Sequence, residues 1–271
     1  MDNLSKGYRD AVLCDTFFEV DIADKVATSK VFQSHSIDAV FHFASFIEVG
    51  ESVKFPEKYF QNNFEATRSL LEVMVEFQVM HFVFSSTAAV FGNPEYSPID
   101  ETHPKHPINP YGESKLMFEK MLLWYQQLHG LEFVAFRYFN AAGASRKFGE
   151  HHRIETHLIP NVLKVALGQK PQCEIFGTDY PTPDGTCIRD YIHIVDLAQA
   201  HILALTPGRA GFFNLGNGAG YSVREVIQAC ERISGQPIKA VEQPRRAGDP
   251  PRLVAAADKA LAEINWRPKF P

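Results

Sequence analysis

Apolar positions recur in two rhythms along this chain, and the texture changes after Asn140. Residues 17–21, 37–44, 81–86 and 132–139 are short runs rich in β-branched and aromatic side chains and bounded by polar ones, as buried strands are. Between them lie helical stretches at 25–34 and 56–77. In the second, Leu70, Leu71, Met74, Val75 and Phe77 mark an inner face. The stretch that begins near Tyr111 carries Met117, Phe118, Met121, Leu122 and Tyr125 at the same 3.6-residue spacing. Strand alternating with helix predicts a parallel sheet covered on both faces. Beyond Asn140 come longer loops rich in Pro, Gly and His, between helices near 158–167, 195–205, 223–234 and 258–264. The pattern predicts an α/β chain of two parts: residues 1–140 with the parallel sheet, and residues 141–271 as a smaller α+β lobe.

The candidate chemistry sits where the sheet pattern meets the helix of Tyr111. Tyr111 and Lys115 are four residues apart, so on a helix the phenol and the ammonium share a face. A tyrosine near its usual pKa of about 10 is a poor base at neutral pH, and a nearby cation favours the phenolate. The pair is therefore a candidate general base with its tuning charge. Taken alone the spacing is equally that of a surface lysine beside a half-buried tyrosine. Its context is more specific. The 81–86 strand ends in Ser85-Ser86-Thr87, hydroxyls at the carboxyl end of a strand, where open α/β sheets bind ligands. The 132–139 strand runs into Asn140.

These segments resemble those of the extended short-chain dehydrogenase/reductases and, within them, the UDP-glucose (UDP-galactose) 4-epimerases. The likeness spans nearly the whole chain. It includes Asp2-Asn3-Leu4-Ser5, Phe41-His42-Phe43-Ala44, Val49-Gly50-Glu51-Ser52, Ser85-Ser86-Thr87 and Tyr111-Gly112-Glu113-Ser114-Lys115. Further on it includes Glu155-Thr156-His157-Leu158-Ile159-Pro160, Tyr180 to Thr186, Arg189-Asp190-Tyr191-Ile192-His193, and Arg245-Arg246-Ala247-Gly248-Asp249. The family opens with a strand, a glycine-rich turn and a helix. Met1-Asp2-Asn3-Leu4-Ser5 resembles the end of its second strand, so a first β-α-β unit of about 30 residues is missing from the pattern. The resemblance thus implies a Rossmann-like doubly wound parallel sheet, N-terminally truncated, with a substrate lobe. Without that unit, the 37–44 strand is expected at an exposed edge, with a weakened fold and poor retention of the cofactor.

The resemblance implies roles for individual residues. Tyr111 is the base, Lys115 bonds the nicotinamide ribose and lowers the tyrosine pKa, and Thr87 holds the sugar C4 oxygen. Asp2 takes the adenosine ribose hydroxyls of NAD. Asn3, Asp21, Ile22, Phe43, Ala44, Ser45, Asn62 and Phe139 complete the cofactor shell. Ser86, Asn140, His157, Leu158, Arg189, Arg246, Asp249 and Leu253 face the UDP-sugar. Two arginines suit a diphosphate, because each guanidinium donates paired hydrogen bonds. Leu253 occupies a position that lines the pocket near the sugar C2 substituent, where a bulkier tyrosine would exclude N-acetyl groups. The implied reaction is oxidation at C4, rotation of the ketone and re-reduction on its other face, with NAD as a bound catalyst. Nucleotide-sugar dehydratases carry an Asp-Glu pair after the hydroxyl residue; here those positions are Ala88 and Ala89. Another NAD-dependent UDP-sugar enzyme (a pentose, uronate or N-acetylhexosamine 4-epimerase, or a decarboxylase) stays open, as does a silent sugar-nucleotide binder. A homodimer is implied.

Composition narrows the classes further. Hydrophobic content of 45% and charged content of 22% over 271 residues are those of a globular protein. A net charge of −5 gives no basic footprint for nucleic acid. No apolar run reaches the roughly 18 residues of a membrane span, and no signal peptide is recognised, so a cytoplasmic protein is expected. Cys14, Cys173, Cys187 and Cys230 are scattered, as buried reduced thiols are. Two other features compete for attention. Gly216-Asn217-Gly218-Ala219-Gly220 follows an apolar strand and precedes a helix, but Tyr221 stands where a dinucleotide fingerprint needs its last glycine. His151, His152 and His157 with Glu155 suggest a metal site, yet the stretch has the character of a polar loop and not of a rigid scaffold. The resemblance implies no metal there, and none is expected.

Overall fold

The computed structural model describes residues 1–246 and 248–270. Its central layer is an all-parallel sheet in the order Ala39–His42, His81–Thr87, Glu132–Tyr138, Gly211–Leu215. Side chains alternate across a strand, and that alternation divides the core into two. On one face Phe82, Phe84, Phe133 and Ala135 pack with Phe32 of the Lys25–Ser34 helix, Leu70, Leu71 and Met74 of Thr67–Glu76, and Phe118 and Leu122 of Pro110–His129. On the other, Val83, Val134 and Phe136 meet Leu197, Ala200 and Ala204 of Ile194–Ala204 and Ala260 and Ile264 of Asp258–Ile264. Helices on both faces of a parallel sheet make this the doubly wound α/β arrangement that the residue pattern predicts.

The division at 140/141 is not where that sheet ends. Gly211–Leu215 returns to pair with Val134–Tyr138, and the helices Ile194–Ala204 and Asp258–Ile264 cover the second face. The remainder forms a smaller α+β part. Here Val162 and Val165 of Leu158–Ala166 and Ile227 of Val223–Ser234 pack on Cys173 and Ile175, whose strand Cys173–Phe176 pairs with Ala240–Gln243. Two short ladders join the parts: Asn140–Ala142 with Tyr191–His193, and Ile188–Arg189 between Arg252–Leu253 and Tyr221–Ser222.

Three other expectations change. Residues 17–21 form no strand; Glu19 makes a single bridge to Asp2, with Asp2 N donating to Phe18 O and Val20 N to Asp2 O. The 56–77 helix is three pieces: Pro56–Tyr59, a wider π turn over Phe60–Ala66, and Thr67–Glu76. Such π segments gather at functional sites, and this one carries Asn62 and Asn63. Cys14 is exposed, whereas Cys173 and Cys187 are buried; all four thiols are free. The Ala39–His42 strand stands at the sheet edge as expected, with Phe41 and Phe43 partly exposed.

Candidate active site

The helix of Tyr111 starts where its sequence dictates. The Asn109 side chain caps it by accepting from the Gly112 amide at 2.9 Å, Pro110 fills the first turn, and Gly130 closes it in a left-handed conformation. A Cβ on Gly112 would lie 2.6 Å from the Ala89 carbonyl oxygen. The missing side chain lets the first turn ride against the segment after Thr87, and this brings the phenol to the strand end. The phenol lies close enough to the Thr87 hydroxyl there for it to favour ionisation, and Tyr111 is almost wholly buried.

Alternation along His81–Thr87 sorts the three hydroxyls. Ser85 and Thr87 share one side, with Ser86 on the other. The Ser86 hydroxyl donates to the Glu119 carboxylate at 2.6 Å, inside a buried bidentate pair of Glu119 with Arg137 at 2.9 and 2.7 Å. Ser86 therefore does not face the sugar as the resemblance implied; it satisfies a buried charge. Ser85 takes the site-facing position. Its carbonyl accepts from Lys115 Nζ at 2.7 Å, and the same nitrogen donates to Ser45 Oγ at 2.7 Å.

The electrostatics differ from the expected tuning. Burial pushes the Tyr111 phenol above its usual value, opposed by the nearby Thr87 hydroxyl. Burial also drives Lys115 down to about 7, so its charge is only partial near neutrality and does not by itself make a phenolate. His42, beneath this site, falls to about 3 for the same reason, with Lys115 adding to the shift.

The other cofactor-shell candidates form two groups. Asp2 and Asn3 fold back on themselves, Leu4 N donating to Asp2 Oδ1 and Ser5 N to Asn3 Oδ1. Asn3 Nδ2 donates to Asp21 Oδ2 at 2.9 Å, and Ala23 N donates to Asp21 Oδ1 beside buried Ile22. After the Ala39–His42 strand, Phe43 is largely exposed, Ala44 O accepts from Asn62 Nδ2, and Ser45 meets Lys115. Asn63, which sequence reading missed, fixes this turn: its amide both accepts from Phe46 N and donates to Phe46 O, each at 2.9 Å. Phe139 and Leu253 each pack against the cluster of Ala88, Val90 and Phe91.

On the lobe side Arg189 and Arg246 converge on Asp249, at 3.5 and 3.0 Å. Asn140 Nδ2 donates to the Asp190 carbonyl at 3.0 Å. Asp190, also missed, is fully buried, and its carboxylate accepts from the amides of Asn217, Gly218 and Ala255. The Gly216–Gly220 loop thus cradles the protein's own carboxylate. A Cβ on Gly216 would strike it at 2.6 Å. His157 directly precedes the Leu158–Ala166 helix and lies between Glu150 and Glu155, whose carboxylates raise its pKa, Glu150 the more. A cavity of about 790 Å³ beside Glu119, Arg137 and Lys259 is lined by none of the candidate catalytic residues.

Residues 1–216 match the NAD dependent epimerase/dehydratase family, and the chain belongs to it. A UDP-glucose 4-epimerase of Halalkalibacterium halodurans is 52% identical over a 277-residue alignment covering 100% of this chain and 83% of that protein. The UDP-glucose 4-epimerase of Brucella ovis, solved in complex with NAD, superposes with a TM-score of 0.95 at 43% identity, covering 99% of this chain and 85% of that one. That of Bifidobacterium longum, in complex with NAD+ and UDP, gives 0.90 at 41% identity, covering 94% and 78%.

Proposed function

We infer that the chain is an NAD-dependent epimerase that interconverts UDP-glucose and UDP-galactose by inverting sugar C4. The observation that carries this reading is the buried Tyr111 phenol beside Thr87, with Lys115 held by Ser45 and Ser85, at the carboxyl ends of parallel strands. Ala88 and Ala89 stand where elimination would need an acid and a base.

Bound NAD supplies the reversible oxidation at C4. Lys115 fits it: a buried amine with two short acceptors and a remaining N–H is suited to a ribose hydroxyl. Asp2, Asn3, Asp21, Ile22, Phe43, Ala44, Ser45, Asn62 and Phe139 complete its shell. Tyr111, ionised with the help of the cationic nicotinamide that bound NAD would add beside Lys115, would receive the proton of the C4 hydroxyl through Thr87 and return it once the ketone has presented its other face. Arg189 and Arg246 bind the diphosphate, Asp249 the uridine ribose, and Asn140, His157, Leu158 and Leu253 line the sugar-nucleotide pocket. Leu253, half-buried against the cluster of Ala88, Val90 and Phe91, leaves room at C2, so some turnover of UDP-N-acetylgalactosamine is expected.

Most of the substrate lobe comes from residues after 140. Leu123, Trp124 and Leu128 are exposed on the helix of Tyr111 and support a homodimer, which light scattering would reveal as twice the chain mass. No described helix is long and apolar enough to cross a membrane, in keeping with a cytoplasmic enzyme. The deciding experiment incubates the purified chain with UDP-galactose and reads UDP-glucose by proton NMR, alongside bound NAD released by denaturation. A protein that binds UDP-sugar but never scrambles C4, even with NAD added, would end this reading.

A further inference from the structure

We propose that Glu150, His152, Glu155 and His157 form a site for one divalent transition-metal ion, suited to Zn2+, that staples the 150–157 segment to the start of the Leu158–Ala166 helix. One ligand atom from each of the four lies within 4.8 Å of every other. Individual separations are 2.8 Å from His157 Nδ1 to Glu150 Oε1, 2.9 Å from His157 Nδ1 to Glu155 Oε1, and 3.2 Å from His152 Nε2 to Glu150 Oε1. Four ligands at the usual zinc–nitrogen and zinc–oxygen distances form a tetrahedron with edges of about 3.3 Å. The three measured edges, at 2.8, 2.9 and 3.2 Å, fall slightly short of that value, and the other three lie within 4.8 Å. Two imidazoles and two carboxylates are a donor set for zinc-like ions and not for magnesium, and two carboxylates neutralise a divalent charge.

Two further observations set this cluster apart from a surface ion pair. The Glu155 side chain is only 3% exposed, and a buried carboxylate needs a compensating charge. A single proton on His157 Nδ1 points along one line and cannot serve both carboxylates well. Glu155 Oε1 also accepts from the His157 amide at 2.8 Å, and Asn161 Nδ2 donates to the Glu155 and His157 carbonyls. These outer contacts supply the fixed scaffold that the sequence alone did not reveal. His151 takes no part; it stacks on Tyr8 at 4.6 Å. Arg153 reaches the Leu4 and Gly7 carbonyls, so the stapled segment also rests on the chain beside Asp2.

The test strips the full chain with EDTA and titrates Zn2+ by calorimetry, independently of epimerase activity. One equivalent should bind, and saturating Zn2+ should raise the melting temperature, since an ion bound only by the folded state stabilises it. His152→Ala and Glu150→Gln should each weaken binding by at least about 10-fold, while His151→Ala should leave it unchanged. Co2+ in the wild-type chain should give the intense visible absorption of a four-coordinate site. A flat Zn2+ isotherm overturns the proposal. So does an isotherm indifferent to both His152→Ala and Glu150→Gln, or a weak six-coordinate Co2+ spectrum. Each would leave the cluster as a proton-sharing ion pair.

Discussion

The proposed catalytic corner and the proposed sugar-nucleotide grip are built on opposite physical terms. Thr87, Tyr111 and Lys115 sit on one strand end and one helix, and Tyr111 and Lys115 are almost wholly buried, with their pKa values displaced by desolvation. The grip draws Asn140, Arg189, Arg246 and Asp249 from distant stretches, and about half of the Arg246 side chain remains exposed. Behind it Asp190, a buried carboxylate, ties three backbone amides together. Chemistry that changes a proton's position needs low dielectric. A grip on a charged ligand that must enter and leave needs partial exposure, with rigidity supplied from below.

The contrast is tested first where the effect is largest. Tyr111→Phe removes the proton acceptor and keeps the packing, so kcat should fall by roughly 10²–10⁴ with KM and the melt nearly unchanged. Turnover close to wild type would take the phenol out of the mechanism and dissolve the distinction between the two regions. Asp190→Asn should do the converse. An amide has one acceptor oxygen and turns N–H groups toward other N–H groups, at a cost of about 1–3 kcal/mol for each amide left without an acceptor. Denaturant unfolding should show that loss, and KM for UDP-galactose should rise more than kcat falls. An unaltered KM would mean that the grip does not depend on its buried support.

Legibility in the sequence follows the same division. The parallel sheet, its covering helices and the Tyr111–Lys115 pair were readable because local periodicity and i,i+4 spacing carry them. The return of Gly211–Leu215 to the sheet was not, since a short apolar run says nothing about which strand it joins. The period of two puts Ser85 and Thr87 on the same side of their strand and turns Ser86 toward Glu119. Asp190 lay in the open within Arg189-Asp190-Tyr191. Its role depends on amides from two loops that only the fold brings to it. The Glu150–His157 cluster looked like solvated loop because the burial of Glu155 depends on surrounding structure.

Arg246→Ala should sharpen the comparison by a smaller amount. One charge-assisted contact to a phosphate is worth about 1.5–3 kcal/mol when well desolvated, and less at this half-exposed position. KM should therefore rise by no more than about 10-fold while kcat stays put, the pattern of lost uniform binding. The penalty should shrink as salt is raised, because exposed charges are screened. A fall in kcat with KM unchanged would place Arg246 with the chemistry and erase the boundary between the two regions.

A slope of stability against pH is expected as well. Lys115 is depressed to about 7 in the folded chain, against about 10.4 unfolded. Between those values the unfolded chain binds the proton that the folded one has released, so unfolding takes up a proton and stability rises with pH. Below about 7 the full cost of burying the charge is felt; above the unfolded value it has vanished. His42, depressed to about 3, adds a separate rise between there and its usual 6.5. Tyr111 acts with opposite sign, but only above about pH 10, since its folded pKa is raised. Lys115→Met should thus melt higher than wild type at pH 7, and the gap should narrow steadily toward pH 10. Parallel melting curves across that range would show that Lys115 keeps its ordinary pKa inside the fold, and that the catalytic corner is wetter than its geometry indicates.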